Sequence, residues 1–289
     1  MEKVSAYKKT MSQMLQAITR YKLIEKGDKI AVGVSGGKDS LTLLKLLSNY
    51  QKYSGVDFEL YGISIDLFGK GSNYEKVENF CKEIGVPYYV VRSNIYEIIF
   101  EERKEKNPCS LCSKMRRGAL NTKAIELGCN KIALGHHSDD LMETFFLSMF
   151  YEGRLSTFAP MSYMDRTKIT LIRPLLFCEE KNIVAIAKNL ELPVFNNCCP
   201  ANHETQREYA KNLLKSIQKD VPACKKMILT ALVHPERYNL FDKYPIFDYK
   251  TNTKTTYLKN TNVEDIDKIK DIEDIEKVVN ISDNIDEEK

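Results

Sequence analysis

The chain has 289 residues, of which 43% are hydrophobic and 29% are charged. This composition is typical of globular proteins and excludes collagen, coiled coil and wholesale disorder. No stretch approaches the ~18 apolar residues of a membrane span and the N-terminus has no signal-peptide pattern, so we expect a cytoplasmic protein without membrane contact. Residues 261–289 hold 11 acidic and 4 basic side chains, which leaves the remainder basic. This excess of basic side chains suits a polyanionic partner, or it only reflects a Lys-rich surface.

The predicted elements alternate between strand and helix. An opening helix over Ser5–Lys26 ends at Gly27. Strands are predicted at 29–34, 59–67, 87–92, 131–134 and 169–172, and helices from 41, at 74–84, 112–127, 139–150, 179–190 and 204–217. The alternation predicts an α/β fold, a doubly wound parallel sheet with helices on both faces. Ligands of such sheets bind at the carboxyl ends of the strands.

We expect three segments along the chain. Residues 1–26 form an N-terminal helical segment, 27–245 form the α/β domain with a C-terminal helical part, and 246–289 form an acidic tail. Isoleucines recur every three residues over 266–275, so an amphipathic helix is one option there. We favour a solvated, flexible tail because the composition is polar and highly charged.

The string Ser-Gly-Gly-Lys-Asp-Ser at 35–40 follows the first strand and opens a helix. Its small residues let the backbone turn sharply and expose N–H groups at a helix N-terminus, a geometry that cradles phosphate. It has neither the Walker A nor the dinucleotide glycine spacing. The string resembles the PP-loop of the ATP pyrophosphatases, which split ATP into AMP and pyrophosphate to adenylate a substrate.

A second string, Gly-His-His-Ser-Asp-Asp at 135–140, follows the fourth strand. Carboxylates in the first turn of a helix can simply cap it. Beside two histidines they also suit magnesium or substrate orientation, and we favour this function because the string resembles the second motif of PP-loop tRNA-modifying enzymes. Arg173 opens a string similar to their third motif; it either meets phosphate or is an ordinary arginine at a strand end.

Cys109 and Cys112 form a C-x-x-C pair that leads into a predicted helix. A lone pair fits half a zinc site, a redox dithiol or coincidence. The sequence has no second C-x-x-C, which disfavours a closed zinc site. A third thiolate from Cys198 or Cys199 would instead suit a cubane cluster with one open iron. Cys81 and Cys129 are expected to be small buried residues.

Together these strings are similar to those of the TtcA family of tRNA 2-thiocytidine synthetases. The resemblance extends from Ile24 to Asp242, and its motifs occur in the family's order. They are Pro-Cys-Ser-Leu-Cys-Ser-Lys-Met-Arg-Arg-Gly at 108–118, Lys-Ile-Ala-Leu-Gly-His-His-Ser-Asp-Asp at 131–140, Ile-Arg-Pro-Leu-Leu at 172–176, Cys-Pro at 199–200 and Thr-Gln-Arg at 205–207. The resemblance implies a PP-loop fold of the adenine nucleotide alpha hydrolase type.

The resemblance also implies an ATP-dependent tRNA sulfurtransferase that acts on a pyrimidine, foremost cytidine 32. The C2 oxygen of the base would attack the α-phosphate of Mg²⁺-bound ATP, and sulfide on an open iron, or a persulfide, would then expel AMP. Cys109, Cys112 and Cys199, with Cys198 as the runner-up, would hold an oxygen-sensitive 4Fe-4S cluster. Asp39 and these three cysteines would carry catalysis.

The remaining residue roles come from the same resemblance. Lys114, Arg116 and Arg117 would contact tRNA phosphates, although a solvated helix face explains them equally well. The implied ATP-binding residues are Ser35, Gly36, Gly37, Lys38, Asp39, Ser40, Asp66, Gly135, His136, Asp139 and Asp140.

Two other functions fit part of the pattern. A desulfidase would use the same cluster to remove sulfur from a thiolated base or small thiol, but that reaction needs no ATP. A tRNA-binding module for sulfur relay would need no catalysis. The expected partners are tRNA and a sulfur donor, either a cysteine desulfurase or free sulfide. The oligomeric state stays open, a homodimer included.

Overall fold

A computed structural model describes residues 2–67, 74–103, 108–195 and 206–238, together with the backbone of 246–248 and 253–255. The described chain divides into two compact units, 1–233 and 234–289. The helices are α1 Glu2–Tyr21, α2 Lys38–Tyr53, α3 Glu75–Ile84, α4 Pro108–Glu126, α5 Ser138–Glu152, α6 Glu180–Asn189, α7 Gln206–Asp220 and α8 Cys224–Val233. The strands are β1 Lys29–Gly33, β2 Glu59–Asp66, β3 Tyr88–Arg92, β4 Lys131–Ala133, β5 Met161–Met164, β6 Ile169–Ile172, β7 Ile246–Asp248 and β8 Thr253–Thr255.

The first unit contains a six-stranded sheet with the order β3-β2-β1-β4-β6-β5. Five strands are parallel, and β5 runs antiparallel to β6 with Met161 opposite Ile172. The predicted doubly wound α/β fold is confirmed. The edge strand β5 was not predicted, because its residues alternate between exposed and half-buried and form no buried apolar run.

Helices cover both faces of the sheet, as the apolar runs of the central strands require. Three consecutive residues of β1, Ile30 to Val32, are fully buried. The leucines of α2 belong to the core on one face, where Met14 and Ile18 of α1 pack with them. The core on the other face includes Leu120 of α4. Because α4 lies against the sheet here, its first turns reach the carboxyl ends of the strands.

Several boundaries differ from the sequence prediction. Helix α4 begins at Pro108, four residues before the predicted start, since proline is well tolerated in the first turn of a helix. The earlier start places both cysteines of the C-x-x-C pair on the helix. Helix α1 ends at Tyr21, where Lys22 takes a positive φ of 49°. Helix α8 and a π-helical turn at Glu97–Glu102 were not predicted.

A buried ion pair joins the amino ends of β1 and β4, at the far end of the sheet from the predicted site. The Nζ of Lys131 lies 2.7 Å from a carboxylate oxygen of Asp28, and both residues are at most 6% exposed. The Asn130 amide donates to the other Asp28 oxygen at 2.8 Å and accepts from the backbone N–H of Lys29 at 2.8 Å. Buried charges are tolerated only when paired in this way.

The second unit has little described structure. It contains a 3₁₀ turn at Pro235–Arg237 and the antiparallel pair β7 and β8, with Ile246 opposite Thr255. This pair lies in the segment predicted as a tail, and the isoleucines of 266–275 lie outside the described residues. None of the described helices is long and apolar enough to cross a membrane.

Candidate active site

A cleft of about 630 Å³ opens at the carboxyl ends of β1, β4 and β6, as the fold predicts. It brings together residues from all four predicted strings that the structure describes. Those residues are Ser35, Asp39 and Ser40 of the first string, Gly135, His136 and Asp140 of the second, Arg173, and Cys109, Cys112, Arg116 and Arg117 of α4.

Other predicted residues do not line this cleft. Asp66 is 2% exposed at the end of β2, where its backbone carbonyl accepts from the N–H of Ser93 at 3.0 Å. Lys114 is exposed on α4, away from the cleft lining. Cys198 and Cys199 lie outside the described residues, so the third cysteine ligand stays a prediction. The other predicted residues absent from the lining are Gly36, Gly37, Lys38 and Asp139.

The glycine loop is held by its own hydroxyl groups. The N–H of Ser35 donates to Ser40 Oγ at 3.1 Å, and that hydroxyl donates to the carbonyl of Gly37 at 3.0 Å. Gly36 has a φ of +83°, which L side chains rarely adopt. Gly37 precedes α2 and offers no side-chain cap. The N-terminus of α2 is therefore suited to receive a phosphate.

Gly135 lets the second string pack against this loop. A Cβ at Gly135 would lie 3.0 Å from the backbone carbon of Asp39 and from the backbone nitrogen of Ser40. Real Cβ atoms essentially never come closer than this, so any side chain would push the two strings apart. Gly135 thus sets the distance between the two strings.

The ammonium group of Lys38 contacts carboxylates of the protein. It lies 3.1 Å from an oxygen of Asp39 and 3.1 Å from an oxygen of Glu180, whose second oxygen lies 3.0 Å from the Nζ of Lys211. Burial lowers the pKa of Lys38, but the two carboxylates outweigh it and the net shift is upward. Burial likewise raises the pKa of Glu180, but the two lysines bring it to about 2. The ATP contact of Lys38 stays a prediction.

Asp139 joins α5 to two other helices. Its carboxylate accepts from the backbone N–H of Glu180 at 2.8 Å and from the Nζ of Lys225 at 2.6 Å. Burial raises the pKa of Asp139, but these two donors outweigh it and the pKa is lowered. The carboxylate is 7% exposed, and its hydrogen-bond donors lie on α6 and α8. The role of Asp139 in ATP binding stays a prediction.

Asp140 caps α5 and also lies at the cleft. It forms a capping box with His137, in which the N–H of His137 donates to the Asp140 carboxylate at 3.0 Å and the Asp140 N–H donates to the imidazole at 3.4 Å. It also lines the cleft. The Nε2 of His137 lies 3.5 Å from an oxygen of Asp39 and 3.4 Å from one of Asp140. Sequence reasoning chose His136 and missed His137, although the adjacent histidines were a signal.

His136 and Arg173 share the ring of Phe158. The imidazole lies 5.2 Å from that ring, and burial lowers the pKa of His136 to about 4, so it is neutral near pH 7. The guanidinium carbon of Arg173 lies 5.0 Å from the same ring, and its Nη1 donates to the carbonyl of Ala159 at 2.6 Å. Arg173 is 8% exposed. Its contacts match the strand-end alternative, although it also lines the cleft.

The two cysteines of α4 differ from the other described cysteines. Cys109 is exposed and Cys112 is half-buried, and both lie on the helix face that lines the cleft. Burial raises the pKa of Cys81 to about 12 and that of Cys129 to about 11. Their predicted burial is confirmed. Among the described cysteines, Cys109 and Cys112 are the two that line the cleft.

Within the described residues, no group of three or more His, Cys, Asp or Glu is arranged to hold a metal ion. The thiols of Cys109 and Cys112 supply two soft ligands from one helix face. A third thiolate would come from 196–205, where Cys198 and Cys199 lie beyond the described residues.

A glycine loop between β1 and α2 of a parallel sheet, facing a second polar string after β4, defines a PP-loop nucleotide-binding protein. The family model of the PP-loop domain matches residues 6–219. The chain belongs to the family of the tRNA-cytidine(32) 2-sulfurtransferases. It is 39% identical to the enzyme of that name from Citrifermentans bemidjiense over 244 residues, 83% of this chain and 95% of the relative. The relative of that name from Azotobacter vinelandii is also 39% identical, over 78% of this chain and 85% of its own length.

A solved structure supports the same fold. The U34-tRNA thiolase NcsA from Methanococcus maripaludis, determined with its [4Fe-4S] cluster, superposes with a TM-score of 0.67 and 25% identity. The match covers 84% of this chain and 83% of that protein. The resemblance to the family that the sequence indicated is confirmed.

Proposed function

We propose that the chain thiolates a pyrimidine of tRNA, with cytidine 32 as the target, by adenylating its C2 oxygen with ATP and replacing that oxygen with sulfur. One observation carries the proposal: a single cleft is lined by the glycine loop on one side and by Cys109 and Cys112 on the other. Adenylation and sulfur transfer must act on the same carbon atom, so their groups must face one space. The named relatives and the thiolase structure support this activity.

The phosphates of ATP would lie at the glycine loop and the N-terminus of α2. Asp39 and Asp140 would hold Mg²⁺, because carboxylate oxygens are its preferred protein ligands. One oxygen of Asp39 is buried without a hydrogen-bond partner in the described structure. An ion would satisfy it. The metal would also offset the repulsion between these carboxylates and the phosphates.

The reaction has two displacements. The C2 oxygen of the base attacks the α-phosphorus of ATP, and pyrophosphate leaves. A hydrosulfide equivalent then adds to C2, the C2–O bond breaks, and AMP leaves with the former carbonyl oxygen. The balance is one ATP and one hydrosulfide consumed per thiolated base, AMP and pyrophosphate formed. Adenylation is needed because oxide is a poor leaving group and AMP is a good one.

The residues on α4 fit an iron–sulfur cluster. Two reachable thiols at positions i and i+3 of a helix supply soft ligands on one face, and Cys199 is the proposed third ligand. When bound, a cluster with three protein ligands supplies an iron that can bind sulfide. The role of Cys109 and Cys112 is to hold it beside the space where the base is adenylated.

The tRNA would approach across α4. Arg116 and Arg117 line the cleft, and Lys114 is exposed on the same helix. Lys and Arg contacts to phosphates dominate nucleic-acid affinity. A cysteine desulfurase or free sulfide would supply the sulfur, and a tRNA substrate would place the reaction in the cytoplasm. The oligomeric state stays open, a homodimer included.

An ATP-to-AMP assay with and without tRNA tests the proposal, together with mass spectrometry of tRNA nucleosides from a deletion strain. We expect tRNA-dependent AMP formation and loss of one thiolated pyrimidine from the deletion strain. Sulfide release from a thiolated base without ATP would favour the desulfidase instead. Binding of tRNA with no AMP formed under any condition would favour the sulfur-relay module.

A further inference from the structure

The π-helical turn at Glu97–Glu102 brings an aromatic ring to the candidate cleft. The ring belongs to Phe100, which is half-buried and lines the cleft together with Cys109 and Cys112. We propose that the ring of Phe100 is the surface on which the target pyrimidine of the tRNA stacks while it is adenylated and thiolated. The inference rests on the proposed function, since it places the substrate base within the same cleft.

A backbone hydrogen bond and a buried neighbour fix the turn that carries Phe100. The N–H of Arg103 donates to the carbonyl of Ile98 at 3.0 Å, a bond that spans five residues as in a π-helix. Ile99 is 0% exposed and belongs to the core that contains Leu120 of α4. Phe100 follows Ile99 and packs against the same core. Single π-helical turns are frequent at functional sites, and this one directs an aromatic side chain to the cleft.

A second aromatic ring packs against Phe100. The ring centroids of Tyr96 and Phe100 are 4.9 Å apart and the ring planes differ by 30°, within the range of attractive aromatic pairs. The N–H of Tyr96 donates to the carbonyl of Leu67 at 3.2 Å, which attaches the pair to the end of β2. Because these contacts already hold Phe100, its side chain has little freedom left to lose when a base stacks on it.

The position of Phe100 favours the target base over the adenine of ATP. Phe100 and Cys112 pack against the same core, on the face of the sheet that α4 covers. The glycine loop instead leads into α2, whose leucines belong to the core on the opposite face. Sulfur held at Cys109 and Cys112 must reach C2 of the base, so the base has to lie on the side of the cleft where Phe100 is.

Stacking is the interaction that suits a pyrimidine in this cleft. Enzymes that act on a base take it out of the nucleic-acid stack, and unstacked RNA bases bind on aromatic side chains. Among the described lining residues, Phe100 is the one with a phenyl or phenol ring. Ile63, Ile65 and Leu171 also line the cleft, but their aliphatic side chains offer no flat π face. Phe100 therefore replaces the neighbour that the base loses when it leaves the tRNA stack.

The first test is photo-cross-linking of the anaerobic, cluster-loaded protein. A tRNA substrate with 5-iodocytidine in place of cytidine 32 forms a covalent bond on irradiation with an aromatic ring that stacks on it. In the presence of α,β-methylene ATP and Mg²⁺, we expect mass spectrometry of the peptides to find the base attached to Phe100. A cross-link at other lining residues with none at Phe100 would overturn the inference. This test needs only wild-type protein, so it does not depend on how well a variant folds.

The second test is the kinetics of variants at Phe100. In Phe100→Ala, the kcat/KM for tRNA, followed as AMP formation at saturating ATP, should fall about tenfold or more because base–aromatic stacking is lost. Phe100→Tyr should keep most of the wild-type value, whereas Phe100→Leu should not, since leucine has no π face. The iron content and the Kd for α,β-methylene ATP without tRNA should stay unchanged. A matching loss of nucleotide affinity in Phe100→Ala would place adenine on the ring and overturn the inference.

Phe150 provides the matched control. It is 48% exposed on α5, packs against the ring of Phe146 at 5.5 Å, and is absent from the cleft lining. Phe150→Ala should therefore keep the wild-type kcat/KM for tRNA. A wild-type value in Phe100→Ala, or a value in Phe100→Tyr as low as that of Phe100→Ala, would overturn the inference and leave the proposed function standing. Wild-type protein that forms no AMP with tRNA would instead remove the proposed function.

Discussion

The two sides of the cleft are built differently. We define the phosphate wall as residues 35–40 and 135–140, and the cysteine wall as the face of α4 from Cys109 to Leu120. In the phosphate wall, hydrogen bonds near 3 Å hold the glycine loop, and a Cβ at Gly135 would lie 3.0 Å from the backbone at 39–40. In the cysteine wall, Cys109 is exposed and Cys112 is half-buried.

The phosphate wall is preformed by the fold, whereas the cysteine wall needs a further ligand to complete the proposed cluster site. The fold alone completes the phosphate wall, since its donors are backbone groups at a helix N-terminus. The cysteine wall supplies two of the three proposed ligands, Cys109 and Cys112. Variants in the two walls should therefore fail in different ways.

The largest effect is expected on the cysteine wall. Cys109→Ala, Cys112→Ala and Cys199→Ala should each lose the cluster and all thiolation, because two thiolates cannot hold a cubane. Iron and acid-labile sulfide, about four of each per wild-type chain, should fall to background in anaerobic preparations. ATP analogue binding should survive, because the glycine loop is a separate segment from α4.

Buried cysteines provide the control for that result. Cys81→Ala and Cys129→Ala should keep cluster and activity, since both thiols lie in the core. Loss of iron in Cys198→Ala and its retention in Cys199→Ala would move the third ligand by one residue. Stoichiometric zinc without iron in the wild type would rule out the cluster.

The second largest effect is expected on the phosphate wall. Asp39→Ala should abolish ATP-to-AMP turnover with the iron content unchanged, because it removes an anchor for Mg²⁺ and leaves the α-phosphate poorly oriented. Pyrophosphate release, measured as magnesium is varied, reports the loss. The exposed Asp57→Ala should behave as wild type. Undiminished pyrophosphate release by Asp39→Ala would mean that the glycine loop is only a structural turn and would favour desulfuration.

A smaller effect is expected from moving the two strings of the phosphate wall apart. Gly135→Ala places a methyl group 3.0 Å from backbone atoms of residues 39 and 40, so kcat/KM for ATP should fall about tenfold or more. Gly118→Ala on α4 is the matched control, since a Cβ there meets nothing within 4 Å. It should stabilise the helix by up to ~1 kcal/mol and leave ATP turnover unchanged.

The smallest effect concerns Glu143, which lies beneath the phosphate wall and is 5% exposed. Burial raises its pKa to about 7, and the charge of Asp140 adds to the rise. A raised carboxyl pKa contributes stability that is full below the unfolded value near 4.5 and is lost as pH rises to about 7. The Tm of Glu143→Gln relative to wild type should therefore increase between pH 5 and pH 8. Glu152→Gln, at an exposed site, should show no such increase.

Sequence reasoning located the site where the chemistry is local. The glycine loop, the 135–140 string and the C-x-x-C pair are each contiguous, and the rule that parallel strands present ligands at their carboxyl ends brings them to one cleft. The structure bears this out for Ser35, Asp140 and Cys109. The start of α4 differs from the prediction, since the helix begins at Pro108 and not at Cys112.

Roles that depend on distant partners were not predictable. Asp139 and Asp140 are adjacent carboxylates that the sequence does not distinguish. The Asp139 carboxylate contacts Lys225 and the N-terminus of α6, whereas Asp140 lines the cleft. Lys38 likewise forms an ion pair with Glu180, a residue distant in the sequence. Such assignments require knowing which helices pack together, and no local pattern near 139 carries that information.

The ion pair between Asp28 and Lys131 has a consequence for the cell. Removing one partner of a buried pair costs about 3–5 kcal/mol, a large fraction of the ~5–15 kcal/mol that stabilises a typical domain. Because the pair lies at the far end of the sheet from the cleft, the surviving folded molecules would keep normal turnover. The loss would appear in protein abundance, through degradation of the unfolded fraction. A strain with such a substitution would contain less of the thiolated nucleoside although every molecule that folds is fully active.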